Sequence, residues 1–114
     1  MGHCPFCKIV KKELPVRLIH EDDLTLAFED IHPQAPVHLL IIPKQHITSM
    51  NEVQDTDREL LAHLLLVARQ IAENRNLQHS GYRLVINTNA QAGQTVFHLH
   101  IHLLAGRAMT WPPG

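Results

Sequence analysis

From Phe97 to Leu103 apolar residues and histidines alternate without a break, Phe97-His98-Leu99-His100-Ile101-His102-Leu103, followed by Leu104. Side chains of an extended strand point alternately to its two faces, so a period of two fits a strand and not a helix. Phe97, Leu99, Ile101 and Leu103 then share a face that needs an apolar cover. His98, His100 and His102 form a row of imidazoles on the other face, with neighbours roughly 7 Å apart. Histidine also occurs at positions 3, 20, 32, 38, 46, 63 and 79, ten in all, in a chain with three Phe, one Trp and one Tyr. Such an excess points to imidazole used for chemistry.

Three uses of the row compete. Alternating histidines can give two or three ligands to a catalytic zinc that keeps an open fourth position. A central imidazole can instead act as a nucleophile while its neighbours hold its tautomer and attract an anionic substrate. The third use is a structural metal site. The polar loop Thr88–Gln94 just before the row, with Gly93, Gln94 and then Thr95, favours the nucleophile, because loop amides and a hydroxyl there can face a phosphate seated over the histidines.

The apolar face has an evident partner. Thr56-x-x-Glu59 has capping-box spacing and opens a run with Leu60, Leu61, Leu64, Leu65, Ala68, Ile71 and Ala72 on one stripe, which predicts a helix from about Asp57 to Asn74. Ser49-x-x-Glu52 has the same spacing. Leu24–Phe28 reads as a short strand into the turn-prone Glu29-Asp30-Ile31-His32-Pro33, since a residue before proline avoids the helical region. Val37-His38-Leu39-Leu40-Ile41-Ile42, stopped by Pro43, reads as a buried strand whose one polar side chain is His38. Tyr82–Asn87 and Thr95–Leu104 read as further strands, and the tail Trp111-Pro112-Pro113-Gly114 cannot continue a helix or a central strand. Strands on both sides of one long helix predict an α+β domain with a mainly antiparallel sheet.

The 114 residues suit one domain, 1–114, with enough core to stand without disulfides. Ten Lys and Arg against eleven Asp and Glu leave no electrostatic footprint for nucleic acid or an anionic membrane. No run of 18 apolar residues suggests a membrane span, and Met1–Lys12 has no signal-peptide core, so the expected location is the cytoplasm. Two cysteines, Cys4 and Cys7, are too few for a disulfide framework. Their C-x-x-C spacing is compatible with zinc, with free reduced thiols, or with a redox pair, the last disfavoured because no thioredoxin-like βαβ context surrounds it.

The run His98-Leu99-His100-Ile101-His102-Leu103-Leu104 resembles the signature of the histidine triad family. Phe6-Cys7-Lys8-Ile9, Glu21-Asp22-Asp23, Ala27-Phe28, Asp30-Ile31, Pro33-Gln34-Ala35-Pro36, Ile42-Pro43-Lys44, Gly93-Gln94-Thr95-Val96-Phe97 and the Trp-Pro-Pro-Gly tail extend the resemblance over nearly the whole chain. The tail and the Gln-Ala-Pro stretch are similar to the nucleotide-binding branch, the purine nucleoside phosphoramidases. That resemblance implies a homodimer of five-stranded sheets, each with one long helix and a short N-terminal helix. It implies that His100 attacks the α-phosphorus of a purine nucleoside 5′-phosphoramidate to give a nucleotidyl-histidine that water resolves, with no cofactor needed for the chemistry. The other ring nitrogen of His100 must then donate its hydrogen, as to a backbone carbonyl. His102 and the amides near Gly93 and Gln94 are implied to hold phosphoryl oxygens, Asn87 matches a phosphate-site residue, and His38 is implied to order the imidazole chain with His98. Thr95 stands where serine is usual, a hydroxyl that helps the leaving amine. Asp30 fits a ribose-binding carboxylate, with Ile31, Phe6, Ile9 and Phe28 as walls for the base, and Trp111 is implied at the dimer interface. Bacterial-type members with the cysteine pair imply zinc held by Cys4, Cys7, His46 and His98, with His3 as a substitute ligand. Two rivals stand beside this reading: a zinc hydrolase with the triad as ligands, which lacks a carboxylate close in sequence to act as base, and a nucleotide-binding adaptor with negligible turnover.

Overall fold

The computed structural model describes residues 3–114. In chain order these form α1 (Pro5–Val10), β1 (Leu18–Glu21), β2 (Thr25–Glu29), β3 (Val37–Pro43), two short 3-10 turns, α2 (Arg58–Asn74), β4 (Tyr82–Val85), α3 (Asn89–Ala92) and β5 (Ile101–Ala105). The strands make one five-stranded sheet in the order β1-β2-β3-β5-β4, and every neighbouring pair is antiparallel. The α+β architecture with one long helix and a short N-terminal helix is therefore as expected. Among the described residues no helix is long and apolar enough to cross a membrane.

The sheet has two differently used faces. On one, α2 lays Leu60, Leu64, Val67, Ala68, Ile71 and Ala72 against Leu39, Ile41, Leu99, Ile101 and Leu103, removing the apolar stripes of helix and strands from water together. On the other, α1 sets Phe6 and Ile9 over Leu26, Phe28, Leu40 and Ile42. This second layer covers only part of its face, and the histidines occupy the rest.

Several expectations need correction. The last strand is shorter than Thr95–Leu104: its ladder with β3 ends at Ile41 opposite Ile101. Pro43 has no N–H to extend pairing, and its carbonyl accepts from His98 Nε2 at 2.8 Å instead. The alternation survives outside the ladder for Leu99, which is buried, but Phe97 is 48% exposed and does not join the core. In α2 the buried stripe includes Val67, whereas Leu65 faces out. The reciprocal cap also sits earlier than Thr56-x-x-Glu59, because Asp57 Oδ2 accepts from Gln54 N at 2.9 Å. Ser49 Oγ accepts from Asn51 N and caps only a 3-10 turn, Met50–Glu52. The strand expected to reach Asn87 ends at Val85, and the following polar loop contains the single turn α3.

Two histidines without a sequence-level role serve the frame. Asp22, in the β1–β2 turn, accepts from Leu24 N and Thr25 N on one oxygen, and on the other from Thr25 Oγ1, His20 Nε2 and, across to α2, His63 Nε2. Burial alone would raise its pKa, but these donors overcome that and hold the carboxyl well below the usual carboxylate range. A carboxylate depressed in the folded state stabilises the fold above its unfolded pKa, and that contribution fades as pH falls through the acid range. Asp22→Ala is expected to lower unfolding free energy by about 1–3 kcal/mol at neutral pH, with the gap to the parent closing below about pH 4. Urea unfolding across pH measures both.

Candidate active site and metal cluster

Hydrogen bonds assign the imidazole tautomers. His100, 7% exposed, donates from Nδ1 to the backbone carbonyl of His98 at 2.7 Å, so its Nε2 keeps an unprotonated lone pair. Gln34 N donates to His38 Nδ1 at 3.0 Å. That fixes the His38 hydrogen on Nε2, which donates to His102 Nδ1 at 2.9 Å. His102 then carries its own hydrogen on Nε2. One nucleophilic nitrogen and one N–H donor thus come from adjacent imidazoles whose ring centroids lie 4.9 Å apart. Phe6 presents its ring to His100 edge to face at 5.2 Å.

Burial pushes His38 and His100 below the ordinary imidazole range, against an opposing pull from the charge of Asp30. Burial, aided by the positive forms of His100 and His38, pushes His102 down to about 4. All three are therefore neutral at pH 7, the state in which an imidazole can be a nucleophile.

The expected pairing of His38 with His98 is not what the fold makes. In the β3–β5 register His38 lies opposite Leu104 and Leu40 opposite His102, so His38 and His102 are diagonal neighbours on one face. His98 precedes the ladder and turns toward the N-terminal segment. It reaches His100 only through its backbone carbonyl, which separates its side chain from the row of His38, His102 and His100.

A cavity of about 470 Å³ opens beside His100 and His102. Of the residues expected at a nucleotide site, Phe6, Ile9, Phe28, Asp30, Ile31, Thr95, His100 and His102 line it. Asn87, Gly93 and Gln94 are not among its walls. Gly93 N donates to Ala90 O and Gln94 N to Asn89 O, so the two amides expected over a phosphate are already used. The Gln94 side chain accepts from Asn89 N and donates to Thr48 O and Val96 O, bracing the loop that presents Thr95 and Val96. Gly93 has φ 86 and nothing within 4 Å of where a Cβ would stand, so the left-handed backbone that closes α3 accounts for this glycine. Val16 and Leu40 also line the cavity. Leu40 was findable from the sequence, because it shares the strand parity of His38. Trp111 is 84% exposed and away from these walls.

The second constellation joins the N-terminal helix to the sheet. Ligand atoms of Cys4, Cys7, His46 and His98 all lie within 4.8 Å of one another. Cys4 Sγ is 3.4 Å from His98 Nδ1, Cys7 Sγ is 3.1 Å from His46 Nδ1, and the two Nδ1 atoms are 3.2 Å apart. Tetrahedral zinc with Zn–S near 2.3 Å and Zn–N near 2.0 Å sets its ligands about 3.3–3.8 Å apart, so this donor set fits the ion. His98 Nε2 donates to Pro43 O, which frees Nδ1 as a ligand and supplies the outer partner that metal-bound histidines require. Burial, and then Cys4, raise the Cys7 thiol pKa, a cost that a divalent cation would offset by displacing the thiol protons. His3, considered above as a substitute ligand, is not a member of this cluster.

The sequence and the overall fold both have close counterparts among known proteins. The family model described as "Scavenger mRNA decapping enzyme C-term binding" matches residues 3–111. An uncharacterized HIT-like protein of Synechococcus elongatus is 54% identical over 109 residues, 96% of this chain and 95% of that protein. The crystal structure of a HIT family hydrolase from Legionella pneumophila superposes with a TM-score of 0.96 at 55% identity, covering 98% of this chain and 100% of the other. That of a histidine triad nucleotide-binding protein from Candida albicans gives a TM-score of 0.82 at 33% identity, covering 96% and 82% respectively.

Proposed function

The chain belongs to the histidine triad (HIT) family, and on that premise we propose that it is a nucleotide-binding hydrolase that cleaves the P–N bond of purine nucleoside 5′-phosphoramidates. The observation that carries this reading is the His100 tautomer: with Nδ1–H engaged by the His98 carbonyl at 2.7 Å, Nε2 presents its lone pair beside a cavity large enough for a nucleotide. In the first step Nε2 attacks the α-phosphorus as the P–N bond breaks. The amine departs with a proton drawn from solvent and relayed by the Thr95 hydroxyl, and a nucleotidyl-His100, positively charged on its ring, remains. His102 donates Nε2–H to a phosphoryl oxygen, gaining strength as charge builds there. Water then attacks phosphorus, and release of the nucleoside monophosphate restores neutral His100.

Apolar walls from Phe6, Ile9, Phe28 and Ile31 suit a base, and Asp30 can accept from both ribose hydroxyls. Zinc, when held by Cys4, Cys7, His46 and His98, fixes α1 and thereby Phe6 and Ile9. The chain 1–114 acts as one HIT domain in a homodimer, with Trp111 at the contact.

The zinc-hydrolase rival is weaker. No set of converging ligand atoms among the described residues contains all three triad histidines. Asp30, His38 and His102 do converge, but the lone pair of His102 Nδ1 is taken by the His38 hydrogen. Because burial lowers the pKa of the nucleophile His100 and of His102, the acid limb of kcat/KM is expected to lie below pH 6.5, the ordinary histidine pKa. Release of AMP from adenosine 5′-phosphoramidate across pH tests this. AMP binding without turnover would favour the adaptor.

A further inference from the structure

We infer that Asp30 is a positioning residue as well as a sugar contact, its carboxylate coupling the ribose hydroxyls of the substrate to the hydrogen-bonded pair of His38 and His102. The sugar half of this inference rests on the nucleotide reading above. Asp30 follows β2 and is fixed twice: its N donates to His38 O at 3.0 Å, and its Oδ1 accepts from His32 N at 2.7 Å. The remaining oxygen, Oδ2, lies 3.4 Å from His38 Nε2, with the two side chains 17% and 4% exposed. Since Gln34 N occupies His38 Nδ1, the one hydrogen on Nε2 is donated to His102 Nδ1 at 2.9 Å, and Asp30 Oδ2 stands beside it as a second acceptor that it does not engage in this structure.

Where that hydrogen points decides what His102 offers to the cavity. Donated to His102 Nδ1, it holds the His102 hydrogen on Nε2, facing the phosphate. Drawn to Asp30, it leaves His102 Nδ1 unpartnered and free to take the hydrogen itself, and the donor over the phosphate is lost. Asp30 also lines the cavity. A ribose diol donating to its carboxylate therefore occupies the competing acceptor and sends the His38 hydrogen to His102. Sugar recognition is in this way spent on kcat and not only on KM.

The test compares wild type with Asp30→Asn, which keeps an acceptor for His32 N, on adenosine 5′-phosphoramidate and its 2′,3′-dideoxy analogue. Imidazole 15N NMR of the ligand-free proteins is recorded alongside. Loss of the hydroxyls is expected to lower wild-type kcat by about tenfold, roughly the scale of a lost positioning contact, and Asp30→Asn, a weaker competitor for the His38 hydrogen, to shrink that dependence of kcat on the hydroxyls. In the ligand-free proteins Asp30→Asn, which removes the charged competing acceptor, should move the His102 ring nitrogens further toward the single Nε2–H tautomer, with thermal unfolding little changed. A wild-type kcat that is unchanged without the hydroxyls, or an unchanged His102 15N signature in Asp30→Asn, would overturn the inference and leave Asp30 as a sugar contact alone. If wild type hydrolyses no phosphoramidate, the functional reading fails, while the ligand-free 15N comparison still decides whether Asp30 sets the tautomer.

Discussion

Replacing His100 by alanine is expected to lower kcat for adenosine 5′-phosphoramidate by about 10⁴-fold or more, the scale on which enzymes lose activity with their nucleophile. Binding of AMP should change little, because the proposed base walls Phe6, Ile9, Phe28 and Ile31 and the ribose contact Asp30 are separate from the attacking nitrogen. The fold should survive, since the hydrogen bond from His100 runs to the backbone of its own segment two residues back. Steady-state kinetics beside calorimetric AMP titration separates the two effects. A comparable loss of AMP affinity would assign His100 to binding and count against its role as nucleophile.

The second large effect concerns stability. Cys4 and Cys7 bracket the start of α1, and their proposed partners His46 and His98 belong to the segments that follow β3 and precede β5. A metal held there ties the N-terminus to the sheet, and its binding energy is folding energy. Cys7→Ala, or exhaustive chelation, is expected to lower stability by at least about 3 kcal/mol and the unfolding midpoint by about 10 °C or more. Below that midpoint turnover should persist, with KM raised because Phe6 and Ile9 are carried by α1. Differential scanning calorimetry with metal analysis checks this. Protein that carries no metal as isolated, with an unchanged midpoint in Cys7→Ala, would leave the cluster as reduced thiols.

Much of this was legible in the sequence because period-two and period-3.6 patterns report directly on which face is covered. The row Leu99, Ile101, Leu103 and the stripe of α2 found each other for that reason. Strand β1 was missed because Leu18-Ile19-His20-Glu21 has neither alternation nor a run of β-branched residues, and its pairing with β2 contains an irregularity between Leu18 and His20. The partner of His38 could not be read either. It depends on the register of β3 against β5, a tertiary quantity that one residue of slip would change. The backbone N–H groups of Gly93 and Gln94 close α3, and a sequence does not say which polar groups are already satisfied. The Asp22 cluster draws together residues up to 41 positions apart, and no local spacing announces it.

The central claim is that His100 forms a covalent bond to phosphorus. Intact-protein mass spectrometry after mixing His102→Ala, chosen to slow the second step, with adenosine 5′-phosphoramidate tests it most directly. The account predicts a transient mass gain of one adenylyl group that maps to His100 and is absent from the His100→Ala, His102→Ala double variant. Hydrolysis that proceeds without any such adduct and stops when metal is removed would contradict it.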